Sequence, residues 1–97
     1  MNIIYDKVFE KELTHIIDYI ALDKISAAIT FATELEELIK EIPTHPFKYR
    51  QSFYFNDDNI RDMTYKKYTI TYEVNLNKNR IEILKIFNKN KPKETQS

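Results

Sequence analysis

RIEILKIFNKNKP, residues 80–92, is the stretch from which the rest of the chain can be placed. Ile83, Leu84, Ile86 and Phe87 put apolar side chains on both faces of an extended chain, the pattern of a strand inside a sheet. The stretch therefore predicts a central strand over Ile81 to Phe87. Asn88, Lys89, Asn90, Lys91 and Pro92 follow at once, so this strand delivers polar and cationic groups to one edge of the sheet. Such an edge suits an anionic partner.

Upstream, the polar segment Asn75 to Asn79 reads as a turn. Tyr68 to Val74 then reads as a strand with Tyr68, Ile70, Tyr72 and Val74 on one face, joined through a tight turn at Lys66 and Lys67 to a strand over Ile60 to Tyr65. Three strands in meander result. Between Pro43 and Asn59, Pro43, Pro46, Asp57 and Asp58 interrupt any periodic pattern. Phe47, Tyr49, Phe53, Tyr54 and Phe55 make that segment too aromatic for a free linker, so part of it must pack.

Nearer the N-terminus the apolar period becomes helical. Phe9, Leu13, Ile16, Ile17 and Ile20 form one stripe behind Asp6, a capping residue, and this helix should end near Ala21 or Leu22. A second helix, from Asp23, carries Ala28, Phe31, Ala32, Leu35, Leu38, Ile39 and Ile42 and is stopped by Pro43. About two residues join them, which forces an antiparallel hairpin. Glu34, Glu37 and Glu41 fall on its solvated face. Asn2 to Tyr5 is a short first strand, expected to pair beside one of the later three. The predicted class is α+β: an N-terminal strand, a helical hairpin, then a three-stranded antiparallel meander, with the helices on one face of the sheet. Residues 1–90 form a single domain and residues 91–97 a flexible basic tail.

Ninety-seven residues suffice for one core and exclude a multidomain enzyme. No apolar run approaches the ~20 residues needed to cross a bilayer and no signal-peptide pattern opens the chain, so a cytoplasmic protein is expected. Cysteine is absent, which removes disulfides, thiol nucleophiles and thiolate-bound zinc. Glycine is absent too, leaving positive-φ turn positions to Asn and Asp. Net charge is zero, yet residues 1–45 hold four Lys against nine acids (−5) and residues 46–97 eleven Lys or Arg against six (+5). An acidic partner would meet the second half.

No His, Asp or Glu cluster has metal-ligand spacing, no glycine loop can cradle a phosphate, and the histidines fall on elements unrelated to a Ser-His-Asp arrangement. No metal or cofactor is expected. His15 borders the apolar stripe of the first helix and His45 lies in a loop between prolines. Tyr68 and Tyr72 share the face of Ile70 and belong to the core. Lys85, alone in an apolar run, must reach an edge or line a polar groove.

Taken together, two helices, then Ile60-Arg61-Asp62, then Tyr65 to Val74 (YKKYTITYEV), then Ile81 to Asn88 (IEILKIFN) resemble the RelE/ParE superfamily of toxins from bacterial type II toxin–antitoxin systems. The resemblance covers about ninety residues. It implies a compact toxin in a hetero-oligomer with a cognate antitoxin, docked over the apolar surfaces of the helical hairpin and sheet edge by β-augmentation or an amphipathic helix.

RelE-like members cut messenger RNA on the ribosome, whereas ParE-like members bind and poison DNA gyrase. RNA cleavage through the 2′-hydroxyl needs a base, an acid and cations. The resemblance puts Arg61 at the matching second-strand arginine position, with Lys85 and Lys89 as available cations; it supplies no proton-transfer partner, for which Glu73 as base, with Lys85, could substitute. No late histidine is present, no tyrosine follows Tyr72, Thr69 stands where many members have Arg, and Asn88 where many have His or Arg. Asparagine transfers no proton near neutral pH. These departures favour ParE-like inhibition of gyrase, with Arg61, Asn88, Lys89, Asn90 and Lys91 as target-binding residues. The ribonuclease, and a relic that binds antitoxin alone, are the alternatives.

Overall fold

A computed structural model describes residues 1–88, so Lys89, Asn90, Lys91 and the expected tail lie outside the described residues. The elements are β1 (Asn2–Tyr5), α1 (Lys7–Asp23), α2 (Ile25–Glu41), a 3-10 turn at Ile42–Thr44, β2 (Ile60–Tyr65), β3 (Tyr68–Asn75) and β4 (Arg80–Asn88). Asp6 starts α1 by accepting a hydrogen bond from the Val8 amide at 2.8 Å. Lys24 alone separates the two helices, with φ −157° and ψ 118°. Its N–H donates to the Ile20 carbonyl and its own carbonyl accepts from Ala27 and Ala28. Asp23 thus ends the first helix rather than opening the second, because the backbone break falls one residue later. The 3-10 turn accommodates Pro43 near its start, where no amide donor is required.

Strand order is β1-β4-β3-β2, with β1 parallel to β4 and the other neighbours antiparallel. The last strand is interior, as its composition predicts. Its apolar run, however, reflects a bulge. Tyr72 lies opposite Ile83 and Thr71 opposite Lys85, leaving Leu84 without a partner in β3. Strict alternation from Ile81 and Ile83 would aim Lys85 at the helices; the extra residue advances the phase, so Ile86 joins Ile70 in the core instead. Leu84 and Phe87 are only half-buried.

The main core lies between the hairpin and one face of the sheet: Phe9, Phe31, Leu35, Ile39 and Ile42 meet Met63, Ile70, Tyr72, Val74, Ile81, Ile83 and Ile86. Phe31 packs its ring on Tyr65 and Tyr68, at centroid distances of 5.2 and 5.4 Å. The aromatic segment before β2 packs on the edge of that strand: the Ser52 amide donates to the Ile60 carbonyl at 2.8 Å and the Asp62 amide to the Arg50 carbonyl at 3.1 Å. Tyr54 stands edge-on to Phe87 at 5.0 Å. Of the two positive-φ residues among the described ones, Asn79 (53°) fits the expectation for a chain without glycine, while Lys66 (54°) departs from it. The two-residue turn between Tyr65 and Tyr68 imposes that conformation on a lysine.

Candidate functional site

Arg61 and Tyr72 are cross-strand partners, so their side chains share the helix-facing side of the sheet. The guanidinium lies at the edge of the core, where it holds the preceding segment in place. Its Nε donates to the Asp58 carbonyl at 2.9 Å, its Nη1 to the Tyr49 carbonyl at 3.0 Å and more weakly to that of Phe47 at 3.5 Å. The Phe47 ring lies 4.9 Å from the charge. Arg61→Ala is therefore expected to loosen the segment before β2 and to cost about 1–2 kcal/mol of stability. Limited proteolysis and urea denaturation check this. Unchanged protease resistance and stability would show that the guanidinium does not hold this segment.

Lys85 does reach an edge. β1 covers β4 only as far as the Tyr5–Ile83 pair, and beyond it Glu12 of α1 takes the place of a strand. One Glu12 oxygen accepts the Ile86 amide at 2.9 Å and the other lies 3.1 Å from Lys85 Nζ, with each side chain about a third exposed (32% and 30%). Glu73 lies opposite Ile60 and Glu82, on the face away from the helices. The fold thus places Arg61 and Glu73 on opposite faces and ties Lys85 to α1, so these residues do not converge. Asn88 is half-buried opposite Tyr68. Lys89, Asn90 and Lys91 are outside the described residues. Among the described residues no group of three or more His, Asp or Glu side chains could hold a metal, and no helix is long and apolar enough to cross a membrane.

An apolar groove opens on the helical hairpin, the surface expected to receive a partner. A cavity of about 310 Å³ between α1 and α2 has Phe9, Leu13, Ala32, Leu35 and Ile39 as its floor and Tyr5 at one end, with Glu10 and Glu36 on its rim. Tyr5 stacks on Phe9 at 5.7 Å. Burial, and then the Glu36 carboxylate, push its phenol pKa up, so it stays a hydrogen-bond donor. The same tyrosine ends β1, which lies at the edge of the sheet. Groove and strand edge therefore form one continuous surface. Glu34, expected to be merely solvated, accepts the Tyr65 hydroxyl and links α2 to β2. Burial and that bond raise the Tyr65 pKa to about 12.

The chain matches, over residues 3–91, the family model described as the ParE toxin of type II toxin-antitoxin system, parDE. No match was found among curated proteins. Among solved structures it is similar to the chromosomal ParDE TA system from P. aeruginosa, at 18% identity and a TM-score of 0.72, over 91% of this chain and 95% of that one. At that identity the likeness concerns the fold.

Proposed function

From the premise that this chain belongs to the ParE family of type II toxins, which the match over residues 3–91 establishes, we propose that it arrests growth by binding DNA gyrase. Membership implies a cognate antitoxin. The observation that favours a binding mechanism over RNA cleavage is the fate of Arg61 and Lys85, the two of the three candidate nuclease cations that lie among the described residues. Arg61 is committed to backbone carbonyls and Lys85 to Glu12, so neither offers an uncommitted charge to a scissile phosphate. The target contacts in this reading are Asn88, which ends β4, and the residues that follow it in the sequence, Lys89, Asn90 and Lys91.

The test is induction of the chain alone in a bacterial host, with message integrity and chromosomal breaks followed in the same samples. Breaks with whole messages are expected. Cut messages without breaks would overturn the gyrase reading in favour of a ribonuclease, and absence of arrest would overturn toxicity itself.

The antitoxin, in the same reading, fills the groove between α1 and α2 with an amphipathic segment and adds backbone contacts along β1. Glu10 and Glu36 favour basic residues flanking its apolar anchors. Ala32→Arg, at a half-buried groove position, is expected to weaken antitoxin binding by about 30-fold or more, the scale of a hot-spot loss of about 2 kcal/mol. Calorimetric titration measures it, and circular dichroism confirms that the variant is folded. Unchanged affinity in a folded variant would place the antitoxin elsewhere.

A further inference from the structure

A second cavity, of about 340 Å³, opens where the C-terminal half of α1 passes the end of the sheet. His15, Ile16 and Tyr19 come from α1, Lys67 from the β2–β3 turn, Tyr68 from the start of β3 and Asn88 from the end of β4. Three features distinguish it from an ordinary surface depression. First, His15 and Tyr19 are one helical turn apart and so face the same way, toward the Tyr68–Asn88 pair. Second, among the described residues no Asp or Glu lines this cavity. The nearest acids along α1 are Glu12, engaged with Lys85, and Asp18, exposed and outside the lining. Third, three of its polar groups are uncommitted: among the described residues His15, Lys67 and the Tyr68 hydroxyl make no hydrogen bond or ion pair, whereas Arg61 donates to backbone carbonyls and Lys85 pairs with Glu12.

The chemistry of the lining specifies a ligand. Lys67 and His15 supply positive charge or N–H donors to an anion. Tyr68, 7% exposed with its ring held against Phe31, supplies a fixed O–H. Burial, and then the neighbouring Tyr19, keep that phenol protonated. Ile16 gives an apolar wall, and Tyr19, 70% exposed, presents a ring face on which a planar base can stack. A volume of this size lies at the small end of the range of about 300–1,000 Å³ typical of ligand pockets. We propose that this cavity is a binding site for a nucleoside monophosphate, with the phosphate held by Lys67, His15 and the Tyr68 hydroxyl and the base stacked on Tyr19. The proposal does not depend on gyrase being the target.

Titration of the full chain with adenosine monophosphate, inorganic phosphate and adenosine, followed by proton–nitrogen NMR correlation spectra, tests it. Adenosine monophosphate should produce saturable shifts at the Lys67, Tyr68 and Asn88 amides and the His15 ring. Inorganic phosphate should move the same signals at about tenfold higher concentration, and adenosine should leave them in place. Lys67→Ala and Tyr19→Ala should each weaken nucleotide binding by about tenfold, and Lys78→Ala, remote from the lining, should not. Shifts scattered over the surface, or none at about 10 mM ligand, would overturn the site. Equal binding of phosphate and nucleotide would overturn the stacking role of Tyr19, and equal binding of adenosine would overturn the anion role of Lys67 and His15.

Discussion

Tyr72→Ala should leave little folded protein at physiological temperature. Tyr72 is fully buried on the central strand β3, with Arg61 beside it on β2 and Ile83 on β4. Its ring stands edge-on to Tyr49 at 6.4 Å and its hydroxyl donates to the Pro46 carbonyl at 2.7 Å. Truncating a buried aromatic ring costs about 3–5 kcal/mol, and here the segment before β2 also loses its anchor at Pro46. A domain of this length has a total stability of about 5–15 kcal/mol, so the variant stands near the folding threshold. Tyr72→Phe, which keeps the ring and removes the bond, should cost about 1–2 kcal/mol. Urea midpoints separate the two effects; a loss under about 1 kcal/mol for Tyr72→Ala would show that the loop and sheet do not share a core there.

The same residue gives the domain an alkaline limit. Burial, and then Tyr49, raise the Tyr72 pKa, and Tyr65 is raised to about 12 by burial and its bond to Glu34. Both folded-state values exceed the ordinary phenol value of about 10, so the folded state holds its protons more tightly than the unfolded chain. Their contribution is fully present below about pH 10 and is lost as pH rises through the folded-state values. Stability should accordingly fall above pH 10, less steeply in Tyr72→Phe than in the parent.

The fold was legible wherever one residue's neighbours along the chain decide its role. The runs Asn2 to Tyr5 and Ile60 to Tyr65 alternate or change composition sharply at their ends, and they form strands with those limits. The helical hairpin follows from two apolar stripes and a joint too short for any other arrangement. The bulge in β4 was half visible: the sequence shows apolar side chains at Ile83, Leu84, Ile86 and Phe87, but which of them enter the core is settled by pairing with β3. The family could be named because an ordered set of strand patterns is itself local information.

The site was far less legible, because its contacts join distant residues through groups that no side-chain pattern marks. Arg61 binds carbonyl oxygens of Tyr49 and Asp58, and any residue types there would offer the same acceptors. Glu12 and Ile86 are 74 positions apart. His15 looked like a boundary residue because α1 shows only its own stripe; Tyr68 and Lys67, its companions around the second cavity, arrive through the sheet. Glu10 and Glu36 likewise meet across the groove only once the hairpin closes.

Asp62→Ala should cost about 3 kcal/mol, with the damage concentrated on the face of the sheet away from the helices. The Asp62 side chain has no solvent exposure, although it bears a carboxylate. One oxygen accepts the Thr71 hydroxyl at 2.9 Å and the other the Phe53 amide at 3.2 Å, with Arg50 Nη2 3.9 Å away. Arg50 in turn lies 3.8 Å from the Phe53 ring centroid. A single carboxylate therefore joins the segment before β2 to the middle of the sheet. Removing it strands a buried hydroxyl, an amide and part of a guanidinium's balance at once, and breaking such a buried ionic contact typically costs about 3–5 kcal/mol, reduced here because Arg50 can turn to water. Asp62→Asn keeps one acceptor and should fall between the parent and Asp62→Ala. Thr71→Val tests whether the effect passes through the hydroxyl: with Asp62→Ala it should be markedly less than additive, since both remove the same bond. Hydrogen exchange adds the decisive reading. If the loss is local, amides at Ser52 and Phe53 lose protection while those of β4 keep theirs; equal loss in both would mean that the buried carboxylate supports the whole sheet rather than the segment folded against its edge.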